Sequence, residues 1–214
     1  MSESRVWYET EGSAWYSRNR DRLGQGRDYP LELLERFDVR VTCILDVGCS
    51  NGWRLERLRQ RYNCWCAGVD VSGEAINEGL RAYPGLVLSR RYAHDLPWSD
   101  GLFECVIMSF VLHWVDRSKL LATFAEIDRV LKPGGYLVLS DFLPDEPTKR
   151  AYRHQAGLWT WKLNYPALLE DTGCYDSVAS IVYNHDTDEE GDAPAGERAV
   201  CSLLRKGDYY ANNP

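Results

Sequence analysis

The sequence predicts an α/β fold built on a parallel sheet, and three observations carry that prediction. The first is the stretch Ile44-Leu45-Asp46-Val47-Gly48-Cys49-Ser50-Asn51-Gly52, an apolar run closed by small residues. Ile44, Leu45 and Val47 suit a central strand buried on both faces, where no polar alternation is needed. The second is a further apolar run at residues 64–69 that ends at Asp70, 18 residues after Gly52. That spacing brings a second strand back beside the first with a carboxylate at its tip. The third is alternation: helical apolar stripes and short β-rich runs follow one another along the chain, as βαβ units require.

The elements then follow in order. Residues 1–29 are polar with aromatic punctuation, including Trp7, Tyr8, Trp15, Tyr16 and Tyr29. A helix over residues 13–23 ends before Gly24-Gln25-Gly26, and Trp15, Arg18 and Asn19 share one of its faces. Pro30 opens a second helix with Leu31, Leu33, Leu34 and Phe37 as its apolar face. After the first strand, Gly48 allows a tight turn and a close backbone approach to a ligand. Ser50 or Asn51 caps the next helix, which carries Leu55 and Leu58 inward and Arg54, Glu56, Arg57 and Arg59 outward.

Ser72 or Asp70 caps a helix through Leu80, and Tyr83-Pro84-Gly85 turns the chain into a third strand at residues 86–89. A fourth strand spans 105–110. Asp116 caps a helix over 119–131, with Leu120, Leu121, Phe124, Ile127 and Val130 inside, and Pro133-Gly134-Gly135 ends it. Residues 136–142 form a fifth strand. The tail holds a helix at 166–171 and two strands at 177–183 and 198–204. Residues 186–197 between them are acidic, contain Gly and Pro, and read as a mobile loop.

Composition narrows the function. The chain has 214 residues, 44% of them hydrophobic and 27% charged, which suits one globular domain. No apolar run reaches membrane-spanning length, and Met1-Ser2-Glu3-Ser4-Arg5 does not begin a signal peptide, so the expected location is cytoplasmic. The net charge of −7 disfavours a protein that grips nucleic acid through its phosphates. The seven cysteines read as core thiols; Cys64 and Cys66 lack the second pair or nearby His of a zinc site, so no metal is expected.

The first motif, Ile44 to Gly52, resembles that of the class I S-adenosylmethionine-dependent methyltransferases. So do Gly68-Val69-Asp70-Val71-Ser72, Asp95-Leu96-Pro97-Trp98, Phe103 to Ser109, His113-Trp114 and Leu131-Lys132-Pro133-Gly134-Gly135-Tyr136, in the family's order. The resemblance covers about half the chain, residues 44–142. Ser50 and Glu104 depart from it, standing where the family usually has Gly and Asp. The resemblance implies a Rossmann-like seven-stranded sheet in the order 3-2-1-4-5-7-6, with strand 7 antiparallel and helices on both faces. It divides one domain into a helical lid at 1–40, a cofactor-binding core at 41–142, and a substrate-covering segment with the terminal strands at 143–214.

It also implies S-adenosylmethionine as cofactor. Asp46, Gly48 and Cys49 would lie at the first turn, Asp70 and Val71 at the ribose, Asp95 and Leu96 at the adenine, and Ser109 at the reacting end. The N-terminal helix has two readings from its own residues: a surface helix that packs its aromatics on the domain, or a lid in which Tyr16 or Trp15 shields the cofactor and Arg18 faces its carboxylate. His113 is the candidate general base, because it follows the fourth strand and imidazole carries protons near neutral pH, the alternative being a structural His beside Trp114; His154 and Tyr165 are the runners-up. The expected reaction is methyl transfer to a small molecule, with a sugar or other hydroxyl as the favoured acceptor. The alternatives are methylation of a protein or RNA, a nicotinamide-dinucleotide enzyme, and a non-catalytic binding module. The nicotinamide reading ranks low, since the turn lacks the paired Gly-x-Gly that admits a pyrophosphate.

Overall fold

Strand β1 (Cys43–Val47) lies at the centre of the sheet because its side chains are apolar on both faces. The computed structural model describes residues 2–208. β2 (Trp65–Asp70), β3 (Val87–Arg90), β4 (Phe103–Ser109) and β5 (Leu131–Phe142) join β1 in parallel. A two-stranded sheet of β6 (Thr148–Ala151) and β7 (Trp159–Lys162) stands apart. β8 (Tyr175–Asn184) and β9 (Arg198–Lys206) complete the main sheet in the order β3-β2-β1-β4-β5-β9-β8. With β8 and β9 as sixth and seventh core strands, this is the expected order. β9 runs antiparallel to both its neighbours.

The period-two alternation of β1 divides the core and prepares the site. Ile44 packs with Leu33, Leu34, Leu55 and Leu58 on one face. Leu45 and Val47 pack with Ala67, Val106, Met108 and Ile127 on the other. Asp46, two residues after Ile44, therefore points towards the face covered by α3 (Tyr29–Arg36) and α4 (Trp53–Tyr62).

Several local expectations need correction. The N-terminal helical segment begins well before residue 13. It runs through α1 (Glu3–Val6), a π turn (Trp7–Glu11), α2 (Gly12–Asn19) and a 3-10 turn (Arg20–Arg22). Gly12 permits this path: a Cβ there would meet Trp7 O and Val71 Cγ2, each at 2.8 Å. Ser50 does not cap α4. It takes a left-handed φ of 54°, and Gly52 occupies the cap position. That conformation explains why the family prefers glycine at this place. Ser72 does cap α5 (Gly73–Ala82), accepting the Ala75 N–H at 3.1 Å.

Asp116 caps a 3-10 turn, Arg117–Lys119, that precedes α6 (Leu120–Val130). Leu121 does not face inward; it is 81% exposed. Pro133-Gly134-Gly135 lies inside β5, where the register jumps from Phe103↔Leu131 to Cys105↔Tyr136. Glu104 buttresses this edge, accepting the Thr42 N–H at 2.6 Å and Lys132 Nζ at 2.7 Å. The β6–β7 pair was not foreseen in the sequence. Its Tyr152 flank joins the N-terminal segment, with the Tyr152 hydroxyl donating to Glu11 at 2.9 Å. α7 (Tyr165–Glu170) is capped by Asn164, whose Oδ1 accepts the Ala167 N–H at 3.3 Å. Among the described residues no helix is long and apolar enough to cross a membrane.

Candidate active site

A cavity of about 450 Å³ opens where β1, β2, β3 and β4 end. Its floor is Val47, Gly48, Cys49, Val69, Asp70, Val71, Ser109 and Phe110. In open α/β sheets the strand order reverses at such a place, leaving a crevice for a ligand. Gly48 has φ 82°, and a Cβ there would lie 2.1 Å from Val111 Cγ2, so only glycine leaves this turn low. Phe110 also adopts a positive φ, 55°, immediately after β4. Such strain persists where surrounding structure fixes it, and it clusters at functional sites.

Asp70 organises the two turns beside the cavity. One carboxylate oxygen accepts the Ser50 N–H at 2.8 Å, the other the Ser72 N–H at 2.8 Å. Burial raises the Asp70 pKa, and the backbone N–H groups of Ser72, Ser50 and Val71 oppose that rise. Beyond β3, Tyr92 and His94 stack at 4.9 Å and close one end. Burial and then Lys119 lower the His94 pKa.

The other end is charged. Arg54 Nε donates to Asp28 at 2.9 Å, and its Nη1 donates to Asp46 at 3.2 Å. Burial pushes the Asp46 carboxyl up to about 6, against the pull of Arg54. Trp7, Gly12 and Trp15 line the cavity from the N-terminal segment; Tyr183 lines it from β8, and His185 and Asp188 from the loop that follows. The acidic loop is tied down: Asp188 O accepts the Tyr29 hydroxyl at 2.8 Å, and Glu190 binds Arg27 at 2.5 Å and Arg36 at 2.6 Å. His185 Nδ1 lies 2.9 Å from Asp186 Oδ1, and its ring packs against Phe110 at 4.9 Å and Phe142 at 5.0 Å.

Residues 45–139, which contain this floor, match the family described as Methyltransferase domain. A provisionally named methyltransferase of Encephalitozoon cuniculi is 30% identical over 73% of this chain and 79% of its own length. The chain belongs to the class I methyltransferases. A malonyl-[acyl-carrier protein] O-methyltransferase of Coxiella burnetii is 35% identical over 53% of this chain. The chain spans only 39% of that relative's length. The fold of the Burkholderia thailandensis 1,6-didemethyltoxoflavin-N1-methyltransferase, solved with bound 1,6-didemethyltoxoflavin and S-adenosylhomocysteine, matches with a TM-score of 0.71. It covers 95% of this chain and 88% of that one at 19% identity.

The fold brings some of the sequence-predicted residues together and leaves others apart. Gly48, Cys49, Asp70, Val71 and Ser109 all line the cavity. Asp46 sits behind it, fully buried, and acts on the wall through Arg54. Asp95 is exposed and lies 3.8 Å from Arg91, off the wall, because the turn after β3 presents Tyr92, Ala93 and His94 instead. Leu96 is buried elsewhere, its N–H donated to Glu126 at 2.8 Å. Tyr16 is buried against Asn51, whose Nδ2 donates to its hydroxyl at 3.2 Å; Trp15, one residue earlier, faces the cavity. Arg18 pairs with Glu11 and donates to the Tyr152 hydroxyl at 2.9 Å, so it fastens the N-terminal segment to the chain beside β6. His113 is 3% exposed and off the wall, its Nδ1 2.9 Å from Asp141 Oδ1. Tyr165 is buried and bonds the Leu112 and Trp161 carbonyls; His154 does not line the cavity.

Sequence reasoning missed Asp28, Arg54, Tyr92, His94 and His185. Arg54 was assigned to the solvent face of α4, yet its side chain is 12% exposed. Its place in the first helical turn was the available signal: such side chains lean back towards the helix N-terminus, here the Gly turn.

Proposed function

We propose that this methyltransferase moves the methyl group of S-adenosylmethionine to a compact small-molecule acceptor, with a hydroxyl as the favoured nucleophile. The observation that carries the reading is the cavity itself. It lies at the strand ends, has a cofactor-sized volume, and is roofed by the N-terminal segment and the acidic loop. Its walls fit the cofactor. The low turn at Gly48 admits a ligand against the backbone, and Ser50 Oγ and Asp28 Oδ2 are buried without partners.

S-adenosylmethionine supplies an activated methyl and a neutral leaving group when bound. The chain's own residues then have three tasks. Gly48, Asp70 and Val71 hold the nucleoside side, with Tyr92 and His94 at its far end. Trp7, Trp15 and Tyr29 exclude water and fix the approach, which is where most of the acceleration of a displacement comes from. His185 takes the acceptor proton: with Nδ1 engaged by Asp186, Nε2 is the nitrogen left to receive it. His185 replaces His113 in this role because it lines the cavity and His113 does not.

The testing experiment is transfer of isotope-labelled methyl from the cofactor to a metabolite pool, to bulk RNA and to proteins. A single labelled small metabolite is the expected result. Full-rate labelling of RNA or of a large protein would sink the small-molecule reading, and no label in any fraction would favour the binding-module alternative.

A further inference from the structure

One acid in the loop after β8 stands apart from the rest. Asp186, Glu189, Glu190, Asp192 and Glu197 each meet a hydrogen-bonding or cationic side chain. The half-buried Asp188 carboxylate, on the cavity wall, accepts no hydrogen bond and joins no ion pair among the described residues. Its place is nonetheless fixed. Asp188 has a left-handed φ of 58°, its N–H donates to Asn184 O at 2.9 Å, and its carbonyl accepts the Tyr29 hydroxyl at 2.8 Å. The carboxylate lies over Gly26, where a Cβ would come within 2.5 Å of Asp188 Oδ2, so glycine leaves the room it needs. Strained backbone held in this way clusters at ligand sites. An ionised carboxylate drawn partly out of water without a partner is costly, and a cationic ligand recovers that cost.

The neighbouring wall sorts the ligand. Tyr29 and Tyr183 stack at 3.7 Å, and the Phe110 ring lies 4.9 Å from His185. The polar atoms of these rings are occupied: the Tyr29 hydroxyl by Asp188, the Tyr183 hydroxyl by Ser140 at 3.0 Å, and His185 Nδ1 by Asp186. Arg27, which follows Gly26, is held by Glu32 and Glu190. Aromatic faces beside an unpaired carboxylate suit an ammonium, the rings through their quadrupole and the carboxylate through its charge. An anionic acceptor would be repelled here, and a neutral one would leave the charge unpaired.

We propose that Asp188 selects the methyl acceptor by binding a protonated amine, so that the reacting hydroxyl belongs to a small amino alcohol. The proposal rests on the small-molecule reading above and narrows its acceptor. His185 precedes Asp188 in the same loop, and both line the cavity, so base and anchor face one ligand. The ammonium keeps its protons and does not react. The hydroxyl oxygen forms the new bond to the methyl carbon, its proton passes to His185, and the electron pair of the broken S–CH3 bond stays on sulfur.

The charge of the labelled product tests this on the unsubstituted full chain. After labelled methyl transfer to a metabolite pool, the small-molecule fraction is passed over a cation exchanger at neutral pH. Retained label is the expected result. Label that flows through with neutral and anionic metabolites overturns the proposal and leaves the small-molecule reading standing. No label in any small molecule overturns both. A variant adds a second readout. Asp188→Asn keeps the size of the side chain, and asparagine tolerates the left-handed backbone; thermal denaturation reports whether the variant is folded. In a dilution series of the same pool, its half-saturating concentration should rise roughly ten- to a hundredfold. The saturated rate should stay within about threefold, as expected where binding alone is lost. Calorimetry should find S-adenosylhomocysteine binding within about twofold, since its contacts lie elsewhere. An unchanged half-saturating concentration overturns the proposal, and so does a parallel loss of S-adenosylhomocysteine, which would assign Asp188 to the cofactor.

Discussion

The Asp70 carboxylate accepts the Ser50 N–H at 2.8 Å, so the side chain that ends β2 also fixes the turn that ends β1. With its second bond to Ser72, Asp70 holds the Gly turn and the start of α5 in one frame. Removing it should therefore cost stability as well as ligand. Asp70→Ala should destabilise the ligand-free chain by about 1.5–3 kcal/mol, the usual worth of hydrogen bonds to a charged group. It should also weaken S-adenosylhomocysteine more than tenfold by calorimetry, because a charge-assisted acceptor is lost. A variant with unchanged urea denaturation would show that the two backbone bonds carry no weight.

Gly48 and Ser50 make a matched pair of predictions. Gly48→Ala places a methyl 2.1 Å from Val111 Cγ2 in a left-handed conformation, so the turn must move. Loss of measurable cofactor binding is expected, with a stability cost of about 1–2 kcal/mol from the conformation alone. Ser50→Gly acts in the opposite sense. Ser50 has φ 54° and a buried hydroxyl without a partner, and glycine removes both penalties. Unfolded-chain entropy offsets part of this, so a net gain of about 1 kcal/mol is expected in urea denaturation. A destabilised Ser50→Gly would mean that the hydroxyl has an essential role.

How far these features could be read beforehand depended on the length of chain each one needs. Strands β1, β2, β4 and β5 were legible because each carries its own apolar pattern, while their order in the sheet came from the family resemblance. Gly48 and Asp70 were legible because their roles are local to a turn and a strand tip. Arg54 was not, because a lone arginine amid charged neighbours reads as solvated. Its burial depends on Asp28, 26 residues away in the chain, and on the inward register of Asp46. Asp95 misled through its motif: the turn after β3 rotates Tyr92 and His94 inward and leaves Asp95 in water. The β6–β7 strands hid because all four residues of β6 are exposed and show no apolar alternation.

Glu104 supplies a pH prediction. Its carboxyl is held down at about 2, chiefly by the hydrogen-bonded Lys132 ammonium and next by the Thr42 N–H. Because the folded value lies below the ordinary carboxylate value, the contribution is fully present above about pH 4.5 and is lost as pH falls through about 2. The side chain is 26% exposed, so screening reduces the gain to about 1–2 kcal/mol at neutral pH. Urea denaturation should therefore find Glu104→Gln less stable at pH 7, with the gap narrowing towards pH 3. A gap that stays constant with pH would assign the effect to packing and not to charge.

The two histidines separate structure from chemistry. The His113 backbone N–H donates to Asp141 Oδ2 at 3.2 Å, while its ring meets Asp141 Oδ1 and lies 4.4 Å from Trp114. Both partners are buried, so His113→Gln should break a closed arrangement and leave Asp141 without its ring partner, at a cost of about 2–4 kcal/mol. Cofactor affinity of the folded fraction should hardly change, because the ring is off the cavity wall. His185 behaves in the reverse way. It is 41% exposed, so His185→Gln should move stability by no more than about 0.5 kcal/mol. Its loss should lower single-turnover methyl transfer about 10²-fold or more if it accepts the acceptor proton. Thermal denaturation and rapid-quench transfer, run on both variants, distinguish the roles. A His113→Gln chain with full stability and no turnover would return the proton to His113 and remove it from His185.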